Sequence, residues 1–360
     1  MANASHTDLP KRVLIIRPSA LGDVSRTVPC LVALRKALPQ AQIHWLVNST
    51  FADAVSAHPM LDGVIPFDRH HQRCIPKLLK TLRAARYELA VDLQGLARSG
   101  LFARATGARL RVGYANAREG AWLAYNQRFR IPKTGHTVDR MRGLMAAAGF
   151  SGPADLNLYV PPAATAAVNQ QIAAWNDSPA GPGYACLAPT ARWGCKCWPT
   201  ERFAAVGADL LNAGRVNRLV VLASPSEHAQ IQSHFDAALP QNLRKQVVYP
   251  QTTVASLMAW IAGARALLGN DSAPLHLAVG LNRPTVSLFG PTNPDQVGPY
   301  RWTLAPLPPA THQVLQAPGT EGQKIKYRRH KDDDTLMRTI ALEPVLEAFN
   351  AAIDGASPPQ

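Results

Sequence analysis

No run in the chain approaches the roughly 18 consecutive apolar residues that a membrane span requires, and residues 1–12 lack the apolar core of a secretory signal. A cytoplasmic protein is expected. Cysteine is scarce: Cys30, Cys74, Cys186, Cys195 and Cys197 are five thiols, an odd number, spread over 360 residues. That argues against a disulfide framework and for reduced thiols. Acid is short as well, with 24 Asp and Glu against 38 Lys and Arg, a net charge of +14. The shortfall is uneven, since residues 1–180 hold 22 cations and 11 anions and residues 181–360 hold 16 and 13. Such an imbalance points the first half at something anionic: nucleic acid, a membrane surface or a phosphorylated substrate. A plain basic surface is the alternative. RNA-binding signatures, helix-turn-helix spacing and a pattern of stacking aromatics are all missing, so no specific nucleic-acid partner is expected.

What is present reads as globular. Apolar residues make up 47%, with 7 Trp, 8 Tyr and 9 Phe, which excludes disorder throughout. At roughly 150 residues per domain the length suggests two domains. Short apolar runs at Val13–Arg17, Ile43–Val47, Val64–Phe67, Leu89–Asp92 and Arg111–Tyr114 read as strands. Between them Val24, Val28, Leu31 and Val32, and again Leu78, Leu79 and Leu82, recur at helical spacing. Strands separated by helices need crossover connections, so the expected fold is α/β with mainly parallel, doubly covered sheets. Pro and Gly thicken around 152–162 and 176–183, and a second βαβ series follows from Tyr184 to Phe289. Two Rossmann-like, doubly wound domains are expected, 1–175 and 176–341, facing an interdomain cleft. The segment 306–334 reads as a mobile surface loop, followed by a last helix in 342–360.

Ligands of such sheets bind at the carboxyl ends of the strands, and the unusual residues cluster there. In Arg17-Pro-Ser-Ala-Leu-Gly-Asp23 a strand end meets a small-residue turn and a helix start. Gly22 permits a close backbone approach, and Asp23 stands where a carboxylate complements the helix dipole and stays ionised, as a general base must. An ordinary capping Asp has the same spacing. The loop 188–198, A-P-T-A-R-W-G-C-K-C-W, projects Thr190, Arg192 and Lys196 from another strand end and suits a phosphate. Cys195 and Cys197 form a C-x-C without a second Cys or His pair at zinc spacing, so no metal is expected. In Gly269-Asn-Asp-Ser-Ala-Pro-Leu-His276, Asp271, Ser272 and Ala273 open a helix whose free amides could receive a diphosphate, with His276 one turn further in. Simple capping and a core histidine are the plainer reading. Glu227, after a further strand end, could accept from ribose hydroxyls or could only start a helix.

In this order and spacing, V-L-I-I-R-P-S-A-L-G-D-V-S-R-T-V-P, D-L-Q-G-L-A-R-S, K-C-W-P-T-E-R-F and N-D-S-A-P-L-H-L-A followed by R-P-T-V-S-L-F-G-P-T-N-P resemble the lipopolysaccharide heptosyltransferases of glycosyltransferase family 9. The resemblance covers nearly the whole chain. It implies a GT-B architecture with the acceptor on the first domain, the nucleotide sugar on the second, and a C-terminal helix crossing back to the first. It implies an inverting transfer of heptose from ADP-L-glycero-D-manno-heptose to an anionic, lipid-linked core acceptor at the inner face of the cytoplasmic membrane, with no cofactor. Asp23 matches the family's base and Lys196 the lysine that neutralises the diphosphate. Thr190, Glu227, Asp271, Ser272, Ala273 and His276 fall on donor positions; Ser19, Gly22, Arg26 and Arg98 fall on the acceptor side. Arg69, Arg73, Lys77, Lys80, Arg118 and Arg140 are further candidate contacts for an anionic acceptor. Two departures stand out: Thr190 is followed by Ala191 where a second hydroxyl is usual, and Ser272-Ala273 replaces the common Thr-Gly.

Overall fold

A computed structural model describes residues 9–68, 72–175, 177, 181–300, 311–323, 325–326 and 331–356; Arg69 lies outside them. Contacts divide the chain into two compact units, with the division between Tyr159 and Val160.

The first unit is built on six strands, β1 (Arg12–Ile16), β2 (Gln42–Asn48), β3 (Gly63–Phe67), β4 (Leu89–Asp92), β5 (Leu110–Tyr114) and β6 (Gln127–Phe129). All pair in parallel, in the order β3-β2-β1-β4-β5-β6. β1 and β4 are central and covered on both faces, which is why Val13–Ile16 and Leu89–Val91 are uninterrupted apolar runs with no exposure. The helical period between β1 and β2 breaks at Arg26 and Thr27 into Leu21–Ser25 and Val28–Ala37, where Pro29 suits only a helix start.

The second unit repeats the plan with β7 (Tyr184–Ala188), β8 (Arg218–Val221), β9 (Val247–Val248), β10 (Leu267–Asn270), β11 (Thr285–Phe289) and β12 (His312–Gln316). Their order is β12-β11-β10-β7-β8-β9, again wholly parallel. Read from β9, this is the strand order of the first unit, and both are the doubly wound dinucleotide-fold order. Helix Thr200–Asn212 shows how sequence places a layer: Phe203, Val206, Leu210 and Leu211 share one face and are buried against the sheet.

Three expectations change. Helix Pro162–Ala173, assigned by composition to the first domain, packs on helix Val254–Gly263 of the second unit, and Trp175 stacks on Trp260 at 5.7 Å. The segment expected as a loop over 306–334 contains β12, whose polar sequence suits an edge strand. The last helix, Leu342–Asp354, does not cross back. Val345, Phe349, Ala352 and Ile353 are buried in the second unit's core, and hydrogen bonds from Trp198 Nε1 to the Ile340 carbonyl at 2.9 Å and from Arg265 to the Ile353 carbonyl at 2.8 Å tie down its approach and its end. No helix among the described residues is long and apolar enough to cross a membrane.

Candidate functional site

In each sheet the strand order reverses between two central strands, β1 and β4 in the first and β7 and β10 in the second, and a crevice opens at their carboxyl ends. The motifs singled out in the sequence fall on these four strand ends.

In the second unit three separate loops converge. Lys196, in a short turn after β7, places Nζ 2.6 Å from Asp271 Oδ2 after β10, and Thr292, after β11, donates its hydroxyl to the same oxygen at 2.8 Å. The two charged side chains are only 14% and 8% exposed. Burial pushes the Asp271 carboxyl up, but Lys196, His276 and the hydrogen bonds from Lys196 and Thr292 outweigh it and leave the group below its ordinary range. Asn270 fixes the geometry from beneath. Its side chain is buried, accepts from Trp198 N at 3.0 Å and donates to the Pro189 carbonyl at 2.8 Å, so it clamps both ends of the 189–198 loop. Thr190 sits at the mouth of that loop, half-buried. Ser272 caps the helix Ala273–Gly280 in an extended conformation, and its hydroxyl is buried without a hydrogen-bond partner among the described residues. His276 is buried within that helix. Glu227, after β8, accepts from the Ser224 hydroxyl and is half-buried. The neighbouring thiols are not thiolates: burial raises Cys195 and pushes Cys197 up to about 11.

In the first unit Asp23 lies in the opening turn after β1. Its carboxylate is held between two guanidiniums, Arg26 at 2.7 Å and Arg17 at 3.2 Å. Arg26 also donates to the Gly22 carbonyl at 3.1 Å, and Arg17 to the Leu93 carbonyl, so β1 and β4 position the group together. Beside it Ser19 and Arg98 line a cleft of about 390 Å³, with Asn48, Phe67, Gln94 and Glu119 among the other walls. The Arg98 guanidinium lies 5.6 Å from the Phe67 ring. Asp92 is fully buried and shapes the β4 end by accepting from the Gln94 and Gly95 amides at 2.8 and 3.1 Å and from Tyr125 at 2.6 Å. Burial pushes its carboxyl up, against the pull of those bonds.

The model of glycosyltransferase family 9 (heptosyltransferase) matches residues 75–306, more than half of the chain. The chain belongs to glycosyltransferase family 9. It is a glycosyltransferase with two Rossmann-like units, the GT-B class. Lipopolysaccharide heptosyltransferase 1 of Pseudomonas aeruginosa is 30% identical over 305 residues, 80% of this chain and 81% of that protein. The Escherichia coli K12 heptosyltransferase 1 is 28% identical over 303 residues, 80% and 91% of the two chains. Among solved structures, E. coli heptosyltransferase WaaC with ADP-2-deoxy-2-fluoro heptose superposes with a TM-score of 0.67 at 25% identity, covering 93% of this chain and 99% of that one. A family 9 glycosyl transferase from Veillonella parvula reaches 0.80 at 21% identity, covering 96% and 98%, and supports the fold alone.

Within this family 9 chain several positioning residues escape a reading of the sequence. Thr292 and Asn270 lie in quoted motifs, but only the fold shows that one completes the Lys196–Asp271 cluster and the other clamps the loop. Arg17 likewise acquires its meaning only from the Asp23 contact. Trp193 is flanked by two cations, the Arg192 guanidinium at 5.0 Å and Lys331 Nζ at 4.9 Å, while the Lys331 carbonyl accepts from the Cys195 amide at 2.7 Å. The end of the segment read as a loop therefore braces the turn that carries Lys196.

Proposed function

We propose that the protein transfers L-glycero-D-manno-heptose from its ADP-activated form to the lipopolysaccharide inner core, Kdo-lipid A or a heptosylated acceptor, with inversion at the anomeric carbon. The observation that carries the reading is the half-buried Lys196–Asp271–Thr292 cluster at the switch point of a doubly wound sheet. The relatives that are lipopolysaccharide heptosyltransferases, and one that holds an ADP-heptose analogue, support it.

In this proposal the second unit takes the donor, with the diphosphate between Lys196 and the helix start at Ser272 and Ala273, and Thr190, Glu227 and His276 around the rest. The first unit takes the acceptor in the cleft of Ser19 and Arg98. An acceptor hydroxyl attacks the anomeric carbon, its proton passes to Asp23, and the bond to the diphosphate breaks with its electron pair leaving on ADP. Arg17 and Arg26 keep the Asp23 carboxylate aimed. Charge grows on the leaving ADP in the transition state, where Lys196 stabilises it more than in the ground state. No step in this scheme needs a metal.

Incubating the protein with ADP-heptose and a panel of core acceptors, and weighing the products, tests the reading. A mass gain of one heptose is expected. Consumption of a different nucleotide sugar, with ADP-heptose left intact, would replace the donor and keep the glycosyltransferase.

A further inference from the structure

Next to the cleft the first unit carries a patch of which only Arg98 also belongs to the chemistry above. Helix Ala97–Thr106 shows Arg98, Leu101 and Arg104 to solvent at three-residue spacing, with Leu101 48% exposed. Gly100, next to Leu101, lies where any added Cβ would stand 3.1 Å from the Ala121 backbone, so the turn Ala121–Ala124 packs directly against this helix. That turn leaves Trp122 39% and Leu123 70% exposed. Three of the largest exposed apolar side chains are thus carried on two elements in direct contact, a costly arrangement for a surface that meets only water. Their surroundings are cationic. The Arg128 guanidinium lies 5.7 Å from the Trp122 ring, and residues 97–134 hold eight Lys and Arg against one acid, Glu119. Helix Ile75–Ala84, packed alongside, exposes Lys77, Lys80 and Arg83 and carries no acid.

We infer that this patch docks the protein on the anionic headgroup layer of a bilayer, with Leu101, Trp122 and Leu123 entering the interface and the flanking arginines meeting lipid phosphates. An exposed indole and leucines ringed by arginine match the two-part energetics of interfacial binding, apolar insertion plus attraction to anionic lipid. Position supports it too, because Ala97, Arg98 and Ser99 of the same helix, and Glu119 just before the turn, line the 390 Å³ cleft. A lipid-linked acceptor would then pass from the bilayer to the cleft along one helix. That purpose rests on the proposed function; the docking does not.

The test is co-sedimentation with vesicles of phosphatidylcholine alone or mixed with phosphatidylglycerol. The native chain is expected to partition onto the mixed vesicles, less so as salt is raised. Both Leu101→Ser/Leu123→Ser and Arg104→Glu/Arg128→Glu should lower the partition coefficient by about tenfold or more. Each variant should keep its melting temperature and its turnover of a water-soluble oligosaccharide acceptor. Native-like partitioning by either variant overturns the assignment, as does a native chain that ignores anionic vesicles, including one that binds a soluble protein through this face instead. A chain that binds vesicles as expected but transfers no heptose leaves the docking standing and defeats only the proposed reaction.

Discussion

Asp23 is held by two arginines rather than standing free at the end of β1, and this decides how its removal should read out. Asp23→Ala takes away the proposed proton acceptor and leaves the second unit's residues unchanged, so kcat should fall by on the order of 10²- to 10⁴-fold with ADP affinity little changed. Steady-state kinetics beside calorimetry with ADP separates the two, and near-native turnover would remove Asp23 from the role. Lys196→Ala should do both at once. Losing the proposed charge-assisted contact to the diphosphate is expected to weaken ADP by about 10- to 100-fold and to slow turnover as well; unchanged ADP affinity would break the assignment.

At the scale of elements, Asn270 links the end of β10 to the loop after β7 through two buried hydrogen bonds. Asn270→Ala leaves the Trp198 amide and the Pro189 carbonyl without partners. A loss of about 1–3 kcal/mol for each orphaned group is expected, seen as a lowered Tm and a raised KM for the donor, with kcat less affected. The same level of organisation explains what could be read from the residues alone. β1, β4, β7 and β10 were legible because a parallel strand buried on both faces must be an unbroken apolar run, and the motifs beside them were legible because chemistry sits at strand ends. β6, β9 and β12 were not. Gln127–Phe129 and His312–Gln316 are polar edge strands and Val247–Val248 is two residues long, so no periodicity marks them. The C-terminal helix announced an apolar face but not which sheet it would cover, and Thr292 and Arg17 became meaningful only when distant loops met.

For the molecule as a whole, acid stability draws on a packed histidine from each unit, His58 and His312. Burial lowers His58 in the first unit and His312 in the second from 6.5 to about 4. Between those values the unfolded chain binds protons that the folded chain refuses, so stability is full above pH 6.5 and declines as pH falls toward 4. Calorimetry across that window should show Tm dropping with acid, and a His58→Gln/His312→Gln variant should flatten the slope; an unchanged slope would assign the acid sensitivity elsewhere. A full round of turnover also has to end, and the pair of Lys196 with Asp271 bears on how. In the proposed scheme the lysine has a counter-charge 2.6 Å away, so departing ADP would not strand a partly buried cation. On that proposal the aspartate competes with spent product and resets the pocket. Asp271→Asn should therefore trap ADP more tightly and turn product inhibition into the brake on the cycle.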